Sequence, residues 1–157
     1  MKLSTEWARP IYLRDAGREE NLIYSLSLEK VITNSGVYIF GRSWGKQFEA
    51  LYVGKANNIR NRIKGQLNNL RVMQHLKNAK TGRRIVLTGR IVTKPGQRLK
   101  KCLQLVERAL IRYFLSEGHD LVNMQGTRLS RHELSSSGNC PKRFIPSLMF
   151  LEKGKGA

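Results

Sequence analysis

The chain has little cysteine, little acid and no long apolar run. Two cysteines, Cys102 and Cys140, in 157 residues are too few for a disulfide scaffold. They are also too few for a zinc site without help from histidine. His75, His119 and His132 show no metal-ligand spacing among themselves, and His132 with Cys140 makes only a weak pair. Cys102 falls in an apolar stripe and reads as core. No stretch approaches the roughly 20 apolar residues of a membrane helix. Glu6, Trp7, Arg9 and Pro10 stand where a secretion signal would need an apolar run. A reducing cytoplasm is therefore the expected compartment. No G-x-S-x-G nucleophile motif occurs, and Gly41-x-x-x-Gly45-Lys46 lacks the spacing of a phosphate-binding loop. No internal repeat is visible.

The scarcity of acid is the most informative of these absences. Eleven Asp+Glu stand against 29 Lys+Arg, a net charge of +18. Such a balance favours a polyanionic partner, because released counterions drive binding to phosphate backbones. No long basic amphipathic helix with an exposed aromatic face is evident, which argues against a membrane surface. Between Ala50 and Val106 there is no acid at all, yet fourteen cations occur, from Lys55 and Arg60 to Lys100 and Lys101. With no acid interleaved, i,i+4 ion pairing cannot be their purpose. Phosphate contact is the expected one.

The length suits one domain, and 40% apolar residues suffice for a core. Tyr24, Leu26 and Leu28 alternate with Ser25 and Ser27, the pattern of a strand. Val37–Phe40 and Ala50–Val53 read as a hairpin joined by a nine-residue loop containing Gly41 and Gly45. Ile59, Ile63, Leu67 and Leu70 then form one helical stripe. Arg83–Thr93 is strand-like, and Pro95-Gly96 closes it as a turn. Leu99, Cys102, Leu103, Val106, Leu110 and Tyr113 mark a helix from about Gln97 to Glu117, stopped at Gly118. Ser135–Asn139 is a loop by composition, and Phe144–Leu151 reads as a late strand or packed segment. The expected class is α+β, with helices packed on a small sheet.

Alternation assigns faces within the hairpin. Val37 and Ile39 share one face and Leu51 and Val53 share one, so Tyr38 and Tyr52 project to the opposite side. Tyrosine is also simply a good strand former. On the first helix, Arg62 and Gln66 flank the apolar stripe; an arginine fork there could hold two phosphate oxygens. Arg60 flanks the stripe from the other side, and the pattern alone does not separate the two. Glu107 lies beside the apolar stripe of the long helix, and its i±3 and i±4 neighbours Leu103, Gln104, Leu110 and Ile111 include no cation. A half-buried carboxylate needs a partner. That partner is either a cation elsewhere in the fold or a divalent metal shared with a substrate phosphate.

Gly36-Val37-Tyr38, Tyr52-Val53-Gly54, the run Lys55 to Arg62, Leu105 to Ile111 around Glu107, and Leu121-Val122-Asn123 occur in that order. Together they resemble the GIY-YIG nucleases, in the version found in the incision subunit of bacterial excision repair and in phage homing nucleases. The resemblance covers about residues 35–125. It implies a small three-stranded antiparallel sheet flanked by helices, with residues 1–34 and 126–157 as extensions whose roles it leaves open.

The resemblance also implies roles. Tyr52 matches the tyrosine that activates the attacking water, with Tyr38 beside it. Arg62, at the family's spacing from Gly54, matches the arginine that holds the scissile phosphate. Glu107 matches the single carboxylate ligand of a Mg2+ or Mn2+ ion. Asn123 matches an asparagine that supports the site or contacts phosphate, and Lys55 a lysine found after the second motif. Members often carry histidine or tyrosine one turn after the arginine. Gln66 stands there instead and cannot take a proton; His75 could compensate. Arg60, Lys64 and Arg71 are expected along the nucleic-acid path. The expected activity is metal-dependent hydrolysis of DNA phosphodiesters. The alternatives are a non-catalytic nucleic-acid binder with the same fold and an RNase.

Overall fold

The computed structural model of the protein describes residues 2–17, 22–123, 127–128, 131–139, 141 and 143–152; Cys140 lies outside them. The chain begins with short strands β1 (Ser4–Trp7) and β2 (Ile11–Tyr12), then a small pair, β3 (Arg14–Asp15) and β4 (Tyr24–Ser25). A 3₁₀ turn follows at Leu28–Lys30. The hairpin is β5 (Gly36–Trp44) and β6 (Gln47–Ala56). Next come helices α1 (Ile59–Gln66) and α2 (Leu70–Asn78), strand β7 (Arg83–Val92) and helix α3 (Leu99–Ser116). The remaining elements are β8 (Val122–Asn123), β9 (Thr127–Arg128), β10 (Arg131–Ser135) and β11 (Leu148–Glu152). Among the described residues no helix is long and apolar enough to cross a membrane.

The class is α+β, but the sheet is larger than expected. It has five strands rather than three, in the order β1-β7-β5-β6, with β2 also paired to β7. The pairings are antiparallel. The added strands come from the N-terminal extension. They cover the outer edge of β7, whose backbone groups would otherwise stand unpaired.

The hairpin is longer than its apolar runs. Arg42, Ser43 and Trp44 pair with Glu49, Phe48 and Gln47, so the expected nine-residue loop is a tight turn at Gly45-Lys46. A cross-strand ion pair, Arg42 Nε to Glu49 Oε1 at 2.9 Å, holds the polar part of the ladder. The register shifts between Phe40 and Gly41, which face Tyr52 and Ala50. Leu51 is the extra residue of a bulge. It therefore joins the core on the Tyr52 side instead of sharing a face with Val53.

Both faces of the sheet are covered. Tyr38, Phe40, Leu51 and Tyr52 pack with Ile59, Ile63, Val72, Met73 and Leu76 of α1 and α2. Ile39, Ala50 and Val53 pack against Phe114 and Leu115 of α3. The tyrosines thus lie in a second core, not on an open face.

Two helices replace the single expected stripe. The Asn69 side chain accepts the Val72 N–H at 3.3 Å and starts α2 afresh. Leu70, counted in the first stripe, is 67% exposed. In α3 the buried residues are Cys102, Leu103, Phe114 and Leu115, whereas Leu99 and Tyr113 are exposed. The expected strand at Tyr24–Leu28 is only two residues, because Leu28 already enters the 3₁₀ turn. The late strand begins at Leu148, leaving Phe144 exposed.

Candidate active site

The site begins at a helix start. Asn58 accepts the Asn61 N–H at 3.0 Å and caps α1. Ile59 and Ile63 then anchor the helix on the sheet. This places Gln66 inside, 8% exposed, and Arg62 at the solvent margin. Gln66 Nε2 donates to Tyr38 Oη at 3.0 Å and to Tyr52 Oη at 3.1 Å. Its own Oε1 accepts from Asn69 Nδ2 at 3.1 Å, which fixes the way the amide faces. The tyrosine rings lie 6.0 Å apart.

Gly54 stands directly opposite Tyr38 in the ladder. A Cβ at Gly54 would collide with the Tyr38 ring and hydroxyl. Only glycine lets that phenol reach across β6 toward Gln66. Burial pushes the Tyr38 hydroxyl far above the usual tyrosine range, and the neighbouring Tyr52 adds to this; the Gln66 hydrogen bond and the Arg62 charge pull the other way. Tyr38 therefore remains a neutral phenol.

Glu107 reaches the site from α3. Lys55 Nζ donates to Glu107 Oε1 at 2.9 Å, with side chains 38% and 22% exposed. The carboxylate thus has a cation from across the fold as its partner. Tyr38, Tyr52, Lys55, Arg62, Gln66 and Glu107 line one cleft of about 750 Å3. The Arg62 guanidinium, exposed at its rim, makes no hydrogen bond or ion pair with the described residues.

Other expected residues lie elsewhere. Asn123 is 3% exposed. Its Nδ2 donates to Val53 O, and its Oδ1 accepts from Val53 N at 3.2 Å. It completes the outer edge of β6 as a further strand would, at the residue between Tyr52 and Gly54, and does not itself line the cleft. His75 contacts the Asp120 carbonyl at 2.7 Å and lines a separate cleft with Arg42, Glu49 and His119. Arg60 donates to the Val31 and Glu29 carbonyls and secures the 3₁₀ turn. Lys64 and Arg71 are exposed on α1 and α2.

The cations serve more than one purpose. Arg84 donates to four carbonyls around the α2–β7 connection, those of Leu76, Ala79, Lys80 and Gly82. Arg90 pairs with Glu6 at 2.6 Å, and Arg83 stacks on Tyr12. Phosphate contact therefore does not account for the whole acid-free stretch. Pattern reading also passed over Asn69, which orients Gln66. Its signal was an asparagine just before the apolar run of α2.

Glu107 also bears on metal binding. Among the described residues no group of three or more His, Cys, Asp or Glu converges. A lone carboxylate facing a cleft fits Mg2+ or Mn2+ in the mode where substrate phosphate and water complete the coordination. No family model, curated protein or solved structure matches this chain.

Proposed function

We propose that the protein is a divalent-metal-dependent endonuclease that hydrolyses DNA phosphodiester bonds. The observation that carries this reading is the single cleft. It brings two tyrosines, a rim arginine and a carboxylate together from β5, β6, α1 and α3. In the proposed reaction Arg62 grips two non-bridging oxygens of the scissile phosphate with its planar fork. Tyr52, as the phenolate left once its own proton has passed to solvent, takes the proton of the attacking water. Tyr38, neutral and buried, keeps its proton and orders the neighbouring hydroxyl. Gln66 holds both phenol oxygens in place and exchanges no proton. Glu107, with substrate phosphate, would hold the divalent ion. That ion supplies Lewis-acid stabilisation of charge on the leaving oxygen. Lys55 neutralises Glu107 until then.

The test is a panel of single-stranded, duplex and branched DNA and matched RNA, incubated with magnesium or manganese and with EDTA. Metal-dependent DNA cleavage that is lost in Glu107→Ala is expected. Cleavage of RNA alone would move the reading to an RNase. The Lys55–Glu107 pair favours one second reading, a fold that binds nucleic acid with its carboxylate already satisfied. That reading predicts tight binding and intact substrate after long incubation with either metal.

A further inference from the structure

The N-terminal strands add something besides edge protection. Trp7 and Tyr12 are each 46% exposed. In the ladder Trp7 pairs with Gly89 and Tyr12 with Ile85. Those β7 positions are four residues apart, so both aromatic side chains stand on the same face of the sheet. Their separation along β7 is about 13 Å at roughly 3.3 Å per residue.

Each ring is held in a specific manner. A Cβ at Gly89 would lie 2.9 and 3.0 Å from two Trp7 ring carbons, so this glycine lets the indole lie down on β7. The Arg83 guanidinium sits 3.7 Å from the Tyr12 ring centroid. Leu87, between the two positions, is half-buried because it packs against the core beneath α3. The acid of β1 is kept off this face: Glu6 has the opposite parity and is paired with Arg90 at 2.6 Å. What remains beside α3 is two flat rings and a cation, on a chain of net charge +18.

We propose that this face is a stacking platform for single-stranded nucleic acid. Bases stack on exposed aromatic and guanidinium planes, and the phosphates are drawn by the surrounding positive charge. Charge complementarity selects this occupant over an apolar peptide, since a stacked guanidinium disfavours a purely hydrophobic cover. The active-site cleft is lined from β5 and β6, where Lys55 and Glu107 on the α3 side meet Tyr38 and Tyr52, whereas the platform lies toward the other edge of the sheet, beside β1 and β2. The platform therefore holds a segment flanking the bond to be cut. It rests on the nucleic-acid part of the proposed function and does not depend on cleavage.

The test uses the full chain in EDTA. Trp7 and Trp44 are the two tryptophans, so Trp44→Phe leaves Trp7 as the only indole reporter. Titration with oligothymidylate should quench its fluorescence saturably. In the parent chain, Trp7→Leu with Tyr12→Leu should weaken oligothymidylate binding by roughly five- to 150-fold for each ring lost. The same pair should leave binding of an abasic oligonucleotide of equal length unchanged, because only phosphate contacts remain there. No quenching, or equal oligothymidylate binding by the parent and the double variant, overturns the platform. So does quenching by phosphatidylserine vesicles but not by oligonucleotide. Should the double variant fail to fold, Tyr12→Leu alone and the Trp7 quench decide. A chain that quenches but never cleaves refutes the nuclease reading alone. One that cleaves without quenching refutes the platform alone.

Discussion

Replacing Gln66 with leucine tests whether the amide organises the two tyrosines. The substitution keeps the size of the side chain and removes three hydrogen bonds, to Tyr38, Tyr52 and Asn69. Tyr38 is 1% exposed and Tyr52 8%, so water cannot readily replace the donor. A buried polar group left without its partner costs about 1–3 kcal/mol. Two phenol oxygens give about 2–6 kcal/mol, and the added leucine methyls return roughly 1 kcal/mol. A net loss of about 2 kcal/mol, toward the low end of that range, lowers the melting temperature by roughly 4–8 °C in a chain of this size. Scanning calorimetry measures this directly. A drop under about 1 °C would refute the network as drawn. The isosteric Gln66→Glu sharpens the test, since a carboxylate accepts where the amide donates. The tyrosine protons would then turn inward. Single-turnover cleavage should fall by about 10²-fold, the scale of positioned proton transfer, with DNA affinity nearly unchanged. An equal loss of affinity and rate would instead indicate a collapsed cleft.

Three further outcomes are expected. The first concerns Tyr38, which keeps its proton when folded, whereas the unfolded chain releases it near pH 10. Above that pH the unfolded state binds fewer protons. Stability should therefore fall as pH rises, by at most about 1.4 kcal/mol per unit from this group. Urea titrations between pH 9 and 12 should show a shallower decline in Tyr38→Phe. In Asn123→Ala, Val53 loses partners for its N–H and C=O. A destabilisation of about 2–6 kcal/mol and faster amide exchange at Val53 are expected; unchanged exchange would show that another group covers that edge. In Lys55→Met the Glu107 carboxylate loses its cation. Manganese binding by calorimetry should tighten about fivefold, the equivalent of roughly 1 kcal/mol for a partly exposed pair, and weaker binding would contradict competition between the lysine and the metal.

The local periodicities of this chain were readable because they arise within single elements. The α3 helix, with its stop at Gly118, follows from a run whose burial recurs every turn, and β7 from a continuous run of strand formers buried on both faces. What escaped is long-range or polar. The pairing of Ser4–Trp7 with β7 joins residues more than eighty positions apart, and no local pattern encodes it. The hairpin looked short because its outer rungs are an arginine and a glutamate that satisfy each other. Leu70 continued the α1 spacing by coincidence, while Asn69 had already ended one helix and begun another.

In the site, the motif order brought Tyr38, Tyr52, Lys55, Arg62, Gln66 and Glu107 to one cleft. Helical periodicity alone did not separate the arginine at the rim from the one spent on carbonyls; the spacing from Gly54 singled out Arg62. Arg60 and Arg62 differ only in which side of α1 meets the 3₁₀ turn. Nor could the motif order foresee that Asn123 turns its amide to Val53, since that depends on β6 being an edge strand.

The cleft is proposed to cut a phosphodiester bond with Glu107 as its metal-holding group. The most direct measurement is magnesium- or manganese-dependent nicking of a supercoiled plasmid by the purified chain, beside Glu107→Ala at equal concentration. Nicking by the parent, abolished by EDTA and absent in Glu107→Ala although that variant still binds DNA, is the predicted result. Equal nicking by both proteins, or none by the parent with either metal, would contradict it.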